Sequence, residues 1–155
     1  MRAYFDSAVT APVPTPRPPR LLSQGRTLDL EALFAEINQR YFDGAVVAGI
    51  SWGVQGRSRR RRQRTLLLGS YSYDLGLIRI HPRLDDPAVP RYVVASVVHH
   101  EMVHAFLPRP GAASRRVLHS AEFRRLERRF EELPKAEAWL RSNLPRLLKP
   151  CGGTS

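Results

Sequence analysis

Residues 91–107 read RYVVASVVHHEMVHAFL, an apolar segment that contains the pattern His-Glu-x-x-His close to its end. We predict a helix that begins at Asp86-Pro87, tolerates Pro90 in its first turn and runs through Leu107, where further prolines follow. Its predicted core face consists of Val93, Val94, Val97, Val98, Met102 and Phe106. The chemistry-bearing pattern therefore lies inside an apolar helix rather than in a loop.

The pattern itself consists of His100, Glu101 and His104. Residues four apart lie on the same helical face, so the two imidazoles converge on one point. Imidazole is a good zinc ligand, and Glu101 can take a proton from water at the open position of the metal, as in metalloproteases with this motif. The alternative is a pair of core histidines at helical spacing. It is disfavoured because such a polar cluster is costly to bury without a partner, which a metal supplies.

A catalytic zinc site usually has three protein ligands, so a third residue is expected. His119 is the preferred candidate, because the fifteen residues after His104 contain many turn formers and can fold back over the metal. Glu122 lies one turn later on the same face. It is the alternative third ligand, or a carboxylate that orients a histidine.

Two further histidines are weaker candidates. His99 points about 100° away from its neighbour round the helix, so it is expected to pack at the edge of the site. His81 ends a predicted strand and is interpreted as structural or substrate-side. An oxyanion donor is also needed, and the sequence leaves four candidates open: Tyr71, Tyr73, His81 and His99.

The rest of the chain predicts a small α+β domain. A first amphipathic helix is indicated by Leu30, Leu33, Phe34, Ile37 and Tyr41, with Thr27 or Asp29 as its cap and Gly44 as its left-handed stop. Three strands are predicted at Val46–Trp52, Leu66–Tyr71 and Leu77–His81, the last two joined as a hairpin through Asp74–Gly76. Later helices are predicted from Ser120, carrying Phe123, Leu126 and Phe130, and from Pro134, with Pro145 weakening the end. We expect about three strands packed against the His-Glu-x-x-His helix, with flanking helices.

Length and composition set the domain organisation. The 155 residues suffice for one domain, predicted at 27–148, with a disordered Pro-rich leader at 1–26 and a flexible tail at 149–155. Cys151 is the single cysteine, which excludes an intrachain disulfide and a four-cysteine zinc ribbon. The sequence has neither an apolar run of membrane-spanning length nor a secretory signal, so a cytoplasmic protein is expected.

The basic residues suggest nucleic acid as a partner. The formal charge is +11, but the cations are spread along the chain apart from one run of arginines. That run includes Arg59, Arg60, Arg61 and Arg62. It is interpreted either as a solvated loop or as a segment that contacts phosphates.

Six segments follow one another along the chain: Asn38-x-x-Tyr41-Phe42-x-Gly44, Ile50-Ser51-Trp52, Leu68-Gly69-Ser70-Tyr71, Ile78-Arg79-Ile80, His99-His100-Glu101-Met102-Val103-His104-Ala105 and His119-Ser120-Ala121-Glu122-Phe123. Together they resemble the SprT-like zinc metalloprotease domain over roughly residues 28–130. Many metalloproteases share His-Glu-x-x-His. The Tyr-Phe-x-Gly and His-x-x-x-Phe segments make the resemblance specific.

The resemblance implies a zincin-like minimal domain with His100, His104 and His119 as zinc ligands and Glu101 as catalytic base. It implies zinc as cofactor, a protein or peptide substrate, and proteins crosslinked to DNA as one substrate class. Many of those relatives carry a carboxy-terminal zinc ribbon or other DNA-binding segments; with no ribbon in this sequence, the arginine run is a candidate substitute for nucleic-acid contact. The alternatives are a non-catalytic nucleic-acid-binding module with a structural zinc, and a zinc hydrolase for a small non-peptide substrate.

Overall fold

The computed structural model describes residues 22–53, 68–109 and 119–148. In chain order the described elements are α1 (Leu30–Phe42), β1 (Gly49–Trp52), β2 (Gly69–Ser72), β3 (Leu77–Ile80), a 3-10 turn (Pro82–Leu84), α2 (Arg91–Phe106), α3 (Ala121–Glu127) and α4 (Leu133–Leu148). The predicted α+β class is confirmed. None of these helices has the length and apolar character required to cross a membrane.

The three strands form a mixed sheet in the order β1-β3-β2. β1 runs parallel to β3 with Ile50 opposite Ile78, and β2 runs antiparallel to β3 with Tyr71 opposite Ile78. The hairpin predicted between β2 and β3 is confirmed, and Gly76 adopts a positive φ of 58° in its turn. Among the described strands, this order places β3 in the centre and β2 at one edge, alongside α2.

Helix α1 begins and ends as its sequence indicates, with two refinements. Asp29, rather than Thr27, is the cap, and its carboxylate accepts a hydrogen bond of 3.0 Å from the Glu31 N–H. At the other end, the left-handed conformation begins at Asp43, with φ 52°, and continues at Gly44, with φ 77°. An Asp tolerates this region better than most residues, so the stop extends over both positions.

The chain before α1 contacts the sheet earlier than the boundary predicted at Thr27. The Trp52 N–H donates to the Leu22 carbonyl at 2.7 Å, which places this segment beside β1. Asp85 then accepts hydrogen bonds from the Arg26 N–H at 2.7 Å and from the Thr27 N–H and hydroxyl, both at 2.8 Å. A single carboxylate therefore attaches this segment to the turn that follows β3.

We expect the Asp85→Asn variant to be less stable than the wild type at pH 7 by about 1 kcal/mol. Partial burial opposes ionisation of Asp85, but the bonds from Arg26 and Thr27 outweigh it, so its pKa lies below the ordinary value. A depressed pKa contributes stability above the unfolded pKa, and that stability is lost as the pH falls below about 4. Thermal denaturation of both proteins from pH 7 to pH 3 measures the difference in stability between the wild type and Asp85→Asn. This difference should become smaller in acid. A difference that is constant with pH would contradict the prediction.

Helix α2 starts at Arg91, five residues later than predicted. Asp86 instead closes a local turn, because its carboxylate accepts from the Ala88 N–H at 2.8 Å and its carbonyl accepts from the Val89 N–H at 2.9 Å. Helical geometry is disfavoured at a residue that precedes a proline, here Val89. Helix α2 therefore begins only after Pro90, which is its N-cap. The predicted core face is buried except at Phe106, which is 44% exposed at the end of the helix.

The last two helices complete the core. Ser120 caps α3 as predicted, accepting from the Phe123 N–H at 3.2 Å. The prediction extends that helix to Phe130, but α3 ends at Glu127, and Phe130 lies buried in the turn before α4. α4 begins at Leu133, one residue before the predicted start, and continues through Pro145. Helix α3 packs directly against α2.

Candidate metal centre

Three histidines converge at the end of α2. His100 and His104 lie one turn apart on this helix, and His119 comes from the residues just before α3. Their ring centroids are 5.0–5.2 Å apart, and one nitrogen from each lies within 4.8 Å of the others. The three side chains could therefore hold a metal ion.

The Phe123 ring supports the cluster from one side. Its centroid lies 4.9 Å from that of His100, 4.4 Å from His104 and 4.8 Å from His119. Phe123 is buried in the core, and the Ser120 cap sets the start of its helix. The ring therefore restricts how far the three imidazoles can rotate, because densely packed side chains have little free volume.

Two of the three imidazoles are held in the neutral form. Burial lowers the pKa of His104 to about 4, helped by the charges of His100 and His119. Burial and the His100 charge also lower the pKa of His119. Neutral imidazole is the form that binds metal, so both have a ring nitrogen available at neutral pH.

Glu101 is a buried carboxyl beside this cluster, with 6% exposure. Burial raises its pKa to about 7, against the opposing charge of His100. β2 passes close to it at Gly69, where an added Cβ would lie 3.1 Å from the Glu101 Cγ and 2.8 Å from the Val97 Cγ1. A carboxyl with a pKa near neutrality can both accept and donate a proton. Three histidines that could hold a metal ion therefore lie beside a carboxyl that could exchange a proton.

The three histidines and Glu101 lie within a region that matches a known protein family. The SprT-like family model matches residues 30–142. The chain belongs to the SprT-like family. No curated protein and no solved structure matches it. Membership suggests a metallopeptidase-like domain.

The carboxylate that contacts a histidine in this SprT-like domain is Glu127, not Glu122. The His100 Nδ1–H donates to the Glu127 carboxylate, and this bond lowers the pKa of Glu127. Burial lowers the pKa of His100, but the bond to Glu127 and the charges of Glu101 and Glu127 outweigh it and raise that pKa. Glu122 is exposed and pairs with Arg125 at 3.7 Å. Glu127 has a sequence signal, since it lies four residues after Phe123 and thus on the same helical face.

His99 and His81 lie outside the three-histidine cluster. His99 is buried with its ring centroid 5.1 Å from that of Tyr41, 5.3 Å from Phe42 and 5.3 Å from Phe130. Burial lowers its pKa to about 4. The His81 Nδ1 accepts from a backbone N–H at 3.1 Å. The His99 ring is thus packed among three aromatic rings, with its Nδ1 buried and without a hydrogen-bond partner among the described residues, and neither histidine belongs to the three-histidine cluster.

Tyr73, one of the four oxyanion candidates, has a phenol with a raised pKa. Burial raises its pKa, and the charges of Tyr71 and Glu101 raise it further, while Arg109 opposes them. The Arg109 guanidinium lies 5.4 Å from the Tyr73 centroid and 3.0 Å from the Asp74 carboxylate. The β2–β3 turn is therefore attached to the chain just after α2.

The predicted nucleic-acid residues Arg59, Arg60, Arg61 and Arg62 lie outside the described residues. Within the described part, α3 and its following turn carry exposed arginines at 124, 125, 128 and 129. Arg124 is near enough to the cluster to lower the pKa of His119. The metal centre of this SprT-like domain is thus bordered by positive charge on its α3 side.

Proposed function

We propose that this SprT-like protein is a zinc-dependent metallopeptidase in which His100, His104 and His119 hold zinc and Glu101 is the general base. The observation that carries the proposal is the convergence of three imidazoles within reach of one metal ion, beside a buried carboxyl. Three nitrogen ligands leave one tetrahedral position open, which is the arrangement of catalytic rather than structural zinc. The test measures cleavage of an unfolded protein by the zinc-loaded wild type and by Glu101→Gln.

The mechanism assigns each side chain one task. Zinc, when bound, supplies a Lewis acid that polarises the scissile carbonyl and acidifies water. Glu101 accepts the proton of the attacking water and passes it to the leaving amine, which its near-neutral pKa favours. Among the four oxyanion candidates we favour Tyr73, because the charge of Glu101 contributes to the raised pKa of its phenol.

We propose that the substrates are proteins or peptides that bind through an extended segment, and that DNA-associated proteins are included in this class. β2 passes directly beside Glu101, and the described strands pair with it on one side only. An extended segment can add to such an edge through main-chain hydrogen bonds. This placement would bring a peptide bond next to the base without any dedicated side-chain pocket.

The second candidate is a nucleic-acid-binding module with a structural zinc. The net charge of +11 and the exposed arginines around α3 favour contact with phosphates. The buried Glu101 favours the peptidase instead, because a structural zinc site has no use for a proton acceptor. Nucleic-acid contact is compatible with both candidates and is tested separately.

We expect replacement of the arginines at 59–62 by glutamine to weaken binding of single-stranded DNA. Each lost phosphate contact should reduce the slope of log K against log salt by about 0.7, so four contacts reduce it by about 3. Fluorescence anisotropy of a labelled oligonucleotide across a salt series measures the slope. A second variant replaces the exposed arginines at 124, 125, 128 and 129 in the same way and measures the separate contribution of the α3 side. An unchanged slope in the first variant would assign the contact elsewhere.

A further inference from the structure

The bond between His100 and Glu127 joins two helices at the metal centre. His100 lies on α2 and Glu127 ends α3, and their side chains are 29% and 23% exposed. Among the described residues, His100 is the group with which the Glu127 carboxylate forms an ion pair or side-chain hydrogen bond. The contact is therefore specific to one ring nitrogen of one of the three histidines.

The direction of this bond decides which nitrogen of His100 faces the metal. An ionised carboxylate has only acceptor sites, so the proton of the pair resides on Nδ1 and His100 is the donor. In the neutral ring the other nitrogen, Nε2, then carries the lone pair that can bind a metal. Since the ring also packs against Phe123, at 4.9 Å between centroids, both its tautomer and its orientation are restricted.

We propose that Glu127 is a positioning residue for the metal centre, which fixes the tautomer and direction of His100 and strengthens it as a ligand. Carboxylates bonded to a ligating histidine act in this way, and their loss typically weakens metal binding by about 10–100-fold. The inference rests on the proposed function, since it assumes that the three histidines bind zinc. It assigns to Glu127 a role that the sequence pattern suggests for Glu122.

Glu122 provides a matched control, because it has the same side chain on the same short helix. Its side chain is 60% exposed, and its described partner is Arg125, at 3.7 Å. Glu127 instead lies on the face that carries Phe123, four residues earlier, which points towards the histidines. The two residues thus share chemistry and helix but differ in whether they contact a ligand.

The experiment measures zinc affinity by competition with a chromogenic chelator, for the full chain and four variants. We expect Glu127→Ala to bind zinc about 10–100-fold more weakly than the wild type. Glu127→Gln should lie between them, because its amide oxygen still accepts the Nδ1–H. Glu122→Gln and Glu122→Ala should match the wild type. Circular dichroism of the metal-free proteins verifies that each variant is folded.

A second readout separates positioning from a merely structural role. In nitrogen-15 spectra of the zinc-loaded imidazoles, the His100 Nδ1–H signal should be present in the wild type and altered in Glu127→Ala. A wild type that binds zinc, with Glu127→Ala binding equally tightly and giving the same spectrum, would overturn the role of Glu127 alone. A wild type that takes up no zinc would overturn the proposed function, and the inference with it.

Discussion

Replacing Glu101 by glutamine is expected to reduce peptide cleavage by at least about 10²–10⁴-fold while zinc remains bound. The amide cannot accept the proton of the attacking water, so the chemical step loses its base. Glutamine has nearly the same shape, which matters because β2 passes close to the Glu101 side chain at Gly69. The predicted effect is therefore chemical and not steric.

The Glu101→Gln experiment has three readouts. Zinc content is measured by elemental analysis, folding by circular dichroism, and cleavage of an unfolded protein by gel densitometry over time. Glu137→Gln, an exposed carboxyl of α4, is the control and should cleave like the wild type. A Glu101→Gln protein that cleaves at the wild-type rate would remove Glu101 from the mechanism. A wild type that binds zinc and cleaves nothing would favour the structural-zinc candidate.

Features of this fold that depend on local spacing can be predicted from the sequence. The spacing of four residues between His100 and His104 places both rings on one face of any helix that contains them. The Ser120 cap and the β2–β3 hairpin likewise depend on residues within a few positions of one another. The sequence alone predicts these elements, because their determinants are short-range.

Other features depend on contacts that the sequence pattern does not contain. The predicted start of α2 is too early because Asp86 satisfies two backbone donors in a local turn, and this competes with helix formation. The parallel pairing of β1 with β3 joins strands about 28 positions apart, with the antiparallel partner β2 between them in sequence. The pattern places Glu127 on the helical face of Phe123 but does not reveal its partner, which lies 27 residues away on another helix.

The His119→Ala variant is expected to lose most or all of the zinc that the wild type retains. Two imidazoles on one helix remain, but the third corner of the site comes from His119 alone among the described histidines near the cluster. Changes to residues that merely support a ligand already weaken binding by about 10-fold or more, so removing a ligand should exceed that.

The metal-free fold should survive this substitution. His119 is exposed and precedes α3, whereas the core face of α2 does not involve it. The melting temperature of the metal-free variant should therefore lie close to that of the metal-free wild type. This separates loss of a ligand from loss of the fold, which a cleavage assay alone would not do.

Zinc-dependent stabilisation turns this difference into a thermodynamic measurement. At a free zinc concentration of about 100 times the dissociation constant, binding stabilises the native state by about 2.7 kcal/mol, so zinc should raise the wild-type melting temperature. At the same zinc concentration, His119→Ala should show little or no rise. His81→Asn serves as the control, because His81 lies outside the cluster and asparagine can still accept the backbone hydrogen bond. If His119→Ala kept one zinc and the full rise in melting temperature, the third ligand would have to be another residue, and the geometry assigned to Glu101 would change with it.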